Sequence, residues 1–188
     1  MYYKVDKPSS LLLDCDYIPS PNCDERSDPD DISLIVVHGI SLPPGEFGGP
    51  YIEHLFTNTL DANKHVYFKQ IEGLHVSSHL LIRRDGQLIQ FVPFAKRAWH
   101  AGVSDYEGRE GCNDYSIGIE LEGTDEQAYD DRQYESLAGA ILAICKVFPA
   151  TNQRRVVGHS DIAPGRKTDP GAAFDWSKLS HVLTGHLG

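Results

Sequence analysis

The sequence predicts an α/β fold, a single mixed central β-sheet flanked by helices. Short β-branched runs recur along the chain and alternate with helical stretches, two such runs lie close enough to pair as a hairpin, and one long segment carries an apolar stripe at helical spacing. The 188 residues are 40% hydrophobic, with two Trp, nine Tyr and seven Phe, which is material for one sizeable core. Disorder of the whole chain is excluded on that composition.

The elements follow in order. Residues 1–31 are rich in Pro, Ser and Asp and show little periodicity, so they are read as an arm wrapped on a domain spanning 32–188. Ser33-Leu34-Ile35-Val36-Val37-His38 is a continuous β-branched run, the mark of a strand covered on both faces, and it places His38 where the strand gives way to a loop. A Pro- and Gly-rich loop, 43–50, precedes a short helix expected over 51–58. Residues 78–83 and 87–92 flank Asp85-Gly86 and read as a β-hairpin. A strand is expected over 115–121. Over 131–148, Tyr134, Leu137, Ala138, Ile141, Leu142, Cys145 and Phe148 recur at spacings of three and four, one apolar helix face. A strand over 155–158 leads into His159, and a last helix is expected to start near Asp175, which could cap it.

Charge and composition exclude several functions. Seventeen basic against 27 acidic residues leave a net charge of −10, and no basic cluster exceeds Arg154-Arg155, so neither nucleic acid nor an anionic membrane surface is an expected partner. No apolar stretch approaches the roughly 20 residues of a membrane span. The early apolar run Leu11-Leu12-Leu13 is closed by Asp14, too short for a secretory signal, and the expected location is cytoplasmic. Cys15, Cys23, Cys112 and Cys145 show no CxxC spacing and are read as free thiols; a monomer is expected.

Of nine histidines, His54, His181 and His186 read as surface residues. His38 and His159 differ because each follows a β-branched run, where a rigid scaffold presents functional groups. Asp169 comes ten residues after His159 in a Pro- and Gly-rich loop. Two imidazoles, a carboxylate and a fourth place for water are the donor set of a catalytic zinc, although satisfied core histidines would look the same at this stage. Lys167, two residues before Asp169, would share its face in extended backbone, or simply be solvated. Along 116–122, Ile117, Ile119 and Leu121 share one face and Gly118, Glu120 and Glu122 the other. That pattern suits either an antiparallel strand with one wet face or a carboxylate held over a reactive water. Trp99 beside His100 offers a flat apolar wall to a sugar, or ordinary core packing.

Several stretches also carry a resemblance: Val36-Val37-His38-Gly39 through Gly49, Val76-Ser77-Ser78-His79, Arg97-Ala98-Trp99-His100-Ala101-Gly102, Cys112-Asn113-Asp114-Tyr115 through Asp125, and Gly158-His159 through Pro170-Gly171. In this order they resemble the zinc-dependent N-acetylmuramoyl-L-alanine amidase family, closest to its cytosolic branch that acts on 1,6-anhydro-muropeptides. The resemblance implies a central sheet flanked by helices, Zn2+ held by His38, His159 and Asp169, Glu120 and Lys167 as the catalytic pair, and Tyr67 bordering the site. It implies as substrate a small muropeptide, cut between the lactyl group of 1,6-anhydro-N-acetylmuramic acid and L-alanine during cell-wall recycling, with Trp99 and His75 among the substrate contacts. Gly39 stands where the branch commonly has Asn, and His75 and Gly111 stand where arginines are expected to meet the substrate's anionic groups. The alternatives are a peptidoglycan-binding module without hydrolysis and a lytic amidase acting on polymeric wall.

Overall fold

The computed structural model of the protein describes residues 3–13 and 15–185; Asp14 and His186 lie outside the described residues. Six strands build one mixed sheet: β1 (Asp16–Tyr17), β2 (Leu34–Ile40), β3 (Leu80–Ile82), β4 (Leu88–Gln90), β5 (Ser116–Glu122) and β6 (Val156–Gly158), in the spatial order β6-β2-β5-β3-β4-β1. Four helices accompany it: α1 (Tyr51–Phe56), α2 (Asp131–Val147), α3 (His159–Ile162) and α4 (Trp176–Gly185). The expected hairpin is the antiparallel pair β3/β4, and α2 begins where the periodicity begins, because Asp130 and Gln133 form a capping box.

Two expectations are corrected. β5 runs parallel to both its neighbours, β2 and β3, and all of its residues are buried, so it is not an antiparallel strand with a wet face. Both faces are covered because parallel strands need crossover segments, and those segments pack over the sheet. Glu122 is accordingly buried and paired with Arg83 at 2.9 Å, whose other nitrogen holds Glu53 at 2.6 Å. His38 is also not the end of its strand, since Gly39 and Ile40 continue the ladder against Leu121 and Glu122.

Alternation along the strands sorts the two faces. Ile35, Val37, Ile117, Ile119, Leu121, Leu80 and Ile82 form one core with Tyr134, Leu137, Ala138, Ile141 and Ile144 of α2 and with Leu179 and Leu183 of α4. On the other face Leu34 and Val36 pack with Ala101, Cys112, Tyr115 and Ile162, and farther along the sheet Leu81 and Ile89 pack with Ile52, Leu55 and Phe56 of α1 and with Phe68. His38 and Glu120 belong to this second face.

The described residues of the segment 1–31 are held along the domain by short ladders rather than by apolar periodicity. Val5–Asp6 pairs with Leu11–Leu12, β1 extends the main sheet beside β4, and Cys23–Glu25 pairs with Lys96–Ala98. Strands of two or three residues are too short to show alternation, which is why the sequence pattern does not reveal them. The four cysteines are free. Among the described residues no helix is long and apolar enough to cross a membrane.

Arg26 fastens this segment to the interior. Its guanidinium is buried and donates to the backbone carbonyls of Phe94 (3.3 Å), Asn113 (3.1 Å), Asp114 (3.0 Å) and Ser116 (2.7 Å). Arg26→Ala is expected to cost roughly 2–5 kcal/mol in urea unfolding, since each buried acceptor left unpaired costs about 1–3 kcal/mol. A loss below about 1 kcal/mol would mean that water replaces the guanidinium without penalty.

Candidate metal centre and its cavity

The parallel register sets Glu120 directly opposite His38 on adjacent strands, so both side chains rise from the same face. His159 reaches that place from the next edge: β6 pairs with β2, and its end turns into α3, whose first residue is His159. Asp169 arrives from the loop that follows α3. That loop folds back because Ala163 N–H donates to His159 O, Lys167 N–H donates to Ala163 O, and Ser160 N–H donates to Asp169 O.

The result is a triangle of donor atoms. His38 Nδ1 lies 2.9 Å from His159 Nδ1, and Asp169 Oδ2 lies 3.2 Å and 3.0 Å from the two nitrogens. These three residues are the group able to hold a metal ion among the described residues. Donors at about 2.0–2.2 Å from a tetrahedral ion stand roughly 3.3–3.5 Å apart, close to what is seen.

Proton positions follow from the network. Ser116 Oγ lies against the carbonyl of Cys112, which can only accept, so the hydroxyl donates there and accepts from His100 Nε2 at 3.2 Å. His100 Nδ1 is then bare and accepts from His38 Nε2–H at 2.9 Å. His159 Nε2 faces the carbonyl of Ala101 at 3.1 Å and carries its proton there. Both Nδ1 atoms therefore point bare lone pairs at one another and at a carboxylate oxygen. Burial pushes His38 down to about 4, outweighing the pull of Asp169, so at neutral pH His38 brings no imidazolium proton to relieve the repulsion. A cation at the centre of the triangle does relieve it. The donor set suits a divalent transition ion.

Glu120 and Lys167 line the same cavity of about 550 Å³, together with Tyr67, Leu74 and Thr124. Burial lifts the Glu120 carboxyl well above the usual carboxylate range, the charge of Asp169 adds to this, and the ammonium of Lys167 opposes it. Glu120 Oε2 is buried and has no protein hydrogen-bond partner. Lys167 is exposed at the cavity edge. A hollow of about 600 Å³ around Tyr3, Cys15 and Gln87 shares none of these residues.

Of the residues singled out in the sequence, His159, Asp169, Glu120, Lys167 and Tyr67 line this cavity, His38 touches His159 and Asp169 without itself lining it, and two lie outside. Trp99 is half-buried and is not among the residues that line the cavity; its backbone N–H is taken by Ser77 Oγ, while its indole Nε1 is buried without a protein partner. His75 is exposed on an adjoining hollow, with Phe68 and Glu72. The structure adds residues that sequence patterns did not single out. Asn113 Oδ1 accepts the backbone N–H of both His100 (3.1 Å) and Ala101 (2.8 Å), pinning the segment that contacts both histidines. Tyr129, buried on the approach to α2, donates its hydroxyl to Pro170 O at 2.9 Å, next to Asp169. Its ring fits because residues 39 and 123 are glycines: a Cβ at Gly39 would fall 2.4 Å from the Tyr129 hydroxyl, and one at Gly123 would fall 2.3 Å from the ring. That is the physical reason for Gly39, which as a departure from the expected Asn had no explanation in the sequence.

The family described as N-acetylmuramoyl-L-alanine amidase matches residues 28–172. The 1,6-anhydro-N-acetylmuramyl-L-alanine amidase AmpD of Citrobacter freundii is 57% identical over 173 residues, 92% of this chain and 92% of that protein. The crystal structure of a Se-Met AmpD derivative aligns with a TM-score of 0.91 and 55% identity, over 95% of this chain and 98% of that one. A complex of Escherichia coli AmiD with the substrate anhydro-N-acetylmuramic acid-L-Ala-D-gamma-Glu-L-Lys aligns with a TM-score of 0.60 and 26% identity, over 95% of this chain and 65% of that one.

The floor of the site depends on one missing side chain. A Cβ at Gly118 of β5 would fall 2.4 Å from His100 Cγ. Gly118→Ala is expected to lower stability by about 1–3 kcal/mol in urea unfolding, the usual cost of overpacking. Wild-type stability would mean that the imidazole yields without strain.

Proposed function

The chain belongs to the N-acetylmuramoyl-L-alanine amidase family, and on that footing we propose that it is a zinc enzyme of cytosolic cell-wall recycling. Its reaction is hydrolysis of the amide between the lactyl group of 1,6-anhydro-N-acetylmuramic acid and L-alanine in small muropeptides. The identity to 1,6-anhydro-N-acetylmuramyl-L-alanine amidases over nearly the whole chain supports the substrate class. The single observation that supports the chemistry is the triangle of bare donors at His38, His159 and Asp169, set beside a buried, unpartnered carboxylate oxygen of Glu120.

In this reading His38, His159 and Asp169 hold the ion. Zn2+ bound there would supply Lewis-acid polarisation and would lower the pKa of a water to about 7. Glu120 accepts a proton from the attacking water at its carboxylate and returns it to the departing nitrogen of L-alanine. The buried setting that raises its pKa suits a group that both takes and gives a proton. Lys167, at the cavity edge, donates from Nζ to the oxyanion that develops on the scissile carbonyl. Tyr67 forms part of the wall against which the substrate lies. The enzyme is read as a monomer whose partner is the muropeptide, with no nucleic acid or membrane involved. Its net charge of −10 disfavours dense contact with anionic polymeric wall, which sets it apart from lytic amidases.

One zinc per chain is expected, with activity removed by a chelator and restored by Zn2+. Retained amidase activity in a His159→Ala protein shown to be metal-free would overturn the metal assignment. Soluble anhydromuropeptides should be cut faster than intact sacculi, and a preference for sacculi would move the protein to the lytic class. Glu120→Gln should lower kcat by about 10²–10⁴ and Lys167→Ala by roughly 10²–10³, both with unchanged zinc content. Turnover by Glu120→Gln within about threefold of wild type would remove Glu120 from the mechanism, where loss of a general base costs at least 10².

A further inference from the structure

We propose that His100 is a positioning residue for the metal centre: by accepting the Nε2 proton of His38 it fixes the tautomer and ring orientation that present Nδ1 to the ion. The proposal rests on the reading of His38 as a metal ligand and goes beyond it by assigning what sets that ligand. A ligating histidine ordinarily gives its second N–H to a carboxylate, a backbone carbonyl or water, and here that acceptor is another imidazole. His159 has the common arrangement, with its Nε2 on the carbonyl of Ala101. The adjacent residues His100 and Ala101 thus supply the outer partners of both histidines, one by side chain and one by backbone.

An imidazole can serve as this acceptor only if its own tautomer is fixed, and the fold fixes it. The chain of bonds ends on the carbonyl of Cys112, which cannot donate, so every proton along Ser116 Oγ, His100 Nε2 and His38 Nε2 points the same way. A reversed chain would aim an N–H of His38 at Asp169 and the ion. Two further features hold His100 for this task. Asn113 clamps its backbone and that of Ala101, and β5 carries glycine at 118, where any side chain would occupy the position of the ring. The two rings stand nearly perpendicular, 5.0 Å between centroids at 85°, with His38 Nε2 and His100 Nδ1 2.9 Å apart.

The test measures Zn2+ affinity of the full-length apoprotein by competition with a chromogenic chelator. His100→Leu removes the acceptor, and a 10–100-fold weaker affinity is expected, the usual effect of losing an outer partner. His100→Asn can present an amide oxygen near the former Nδ1 and should recover most of the loss, which a role in packing alone would not produce. Ser116→Ala leaves the His100 tautomer unfixed and should weaken binding by a smaller factor. It also decides the matter, together with nitrogen–proton NMR showing His38 as the Nε2–H tautomer, should His100→Leu fail to fold. Wild-type affinity in His100→Leu, equal loss in His100→Asn and His100→Leu, or His38 in the Nδ1–H form would overturn the proposal. His38→Ala separates the two levels: unchanged Zn2+ affinity there would refute His38 as a ligand, whereas lost affinity with an unaffected His100→Leu would refute only the part given to His100.

Discussion

The pairing of β2 with β5 in parallel, residue for residue, is the constraint from which the site follows. In a parallel ladder, opposed residues point to the same side, so Glu120 rises beside His38, Gly118 beside Val36 and Ser116 beside Leu34. The intervening residues fill the core against α2. A slip of one residue would send Glu120 into that core and bring Ile119 to the metal-facing side. The apolar packing of Ile35, Val37, Ile117, Ile119 and Leu121 therefore stabilises the domain and aligns its chemistry in the same act.

Burying so many polar groups on one face of a sheet is costly unless each finds a partner. The protein meets this with one segment, residues 97–116, that lies over the sheet. It brings His100, the Ala101 carbonyl, Asn113 and the Cys112 carbonyl, and Arg26 reaches in from the N-terminal part to tie down the backbone at 113, 114 and 116. Beside the triangle of donor atoms one oxygen of Glu120 is buried without a protein partner, and among the described residues Arg26 Nε, Trp99 Nε1 and Arg155 Nε are in the same state elsewhere. An unpaired carboxylate oxygen beside a triangle of nitrogen and oxygen donors is the arrangement expected of a site that takes an ion and a reacting water.

Tyr129 and the glycines at 39 and 123 show how a departure in sequence is absorbed. The space next to the first histidine is filled from a distant residue, and the hydroxyl that fills it braces the carbonyl adjoining Asp169. Position 39 and the loop carrying Asp169 are thereby coupled through one side chain, far apart along the chain and in contact in the fold.

Local pattern was enough for the sequence to determine the class of fold, the hairpin, the long amphipathic helix, and the β-branched runs that deliver His38 and His159. Each depends on near neighbours, through periodicity, turn chemistry or capping. The face on which Glu120 lies was legible from alternation alone, and resemblance to a family named the remaining candidates. Tertiary structure decided whatever depends on residues distant in the chain. It set the parallel direction of β5 and the burial of both its faces, because crossover segments rather than the strand itself supply the cover. It brought Asp169 to two histidines, 131 and 10 positions away. It left Trp99 and His75 out of the cavity's lining and placed His100 between His38 and Ser116, which the sequence does not show because the direction of a hydrogen-bonded chain is fixed only where it ends, at a backbone carbonyl that no side-chain pattern encodes.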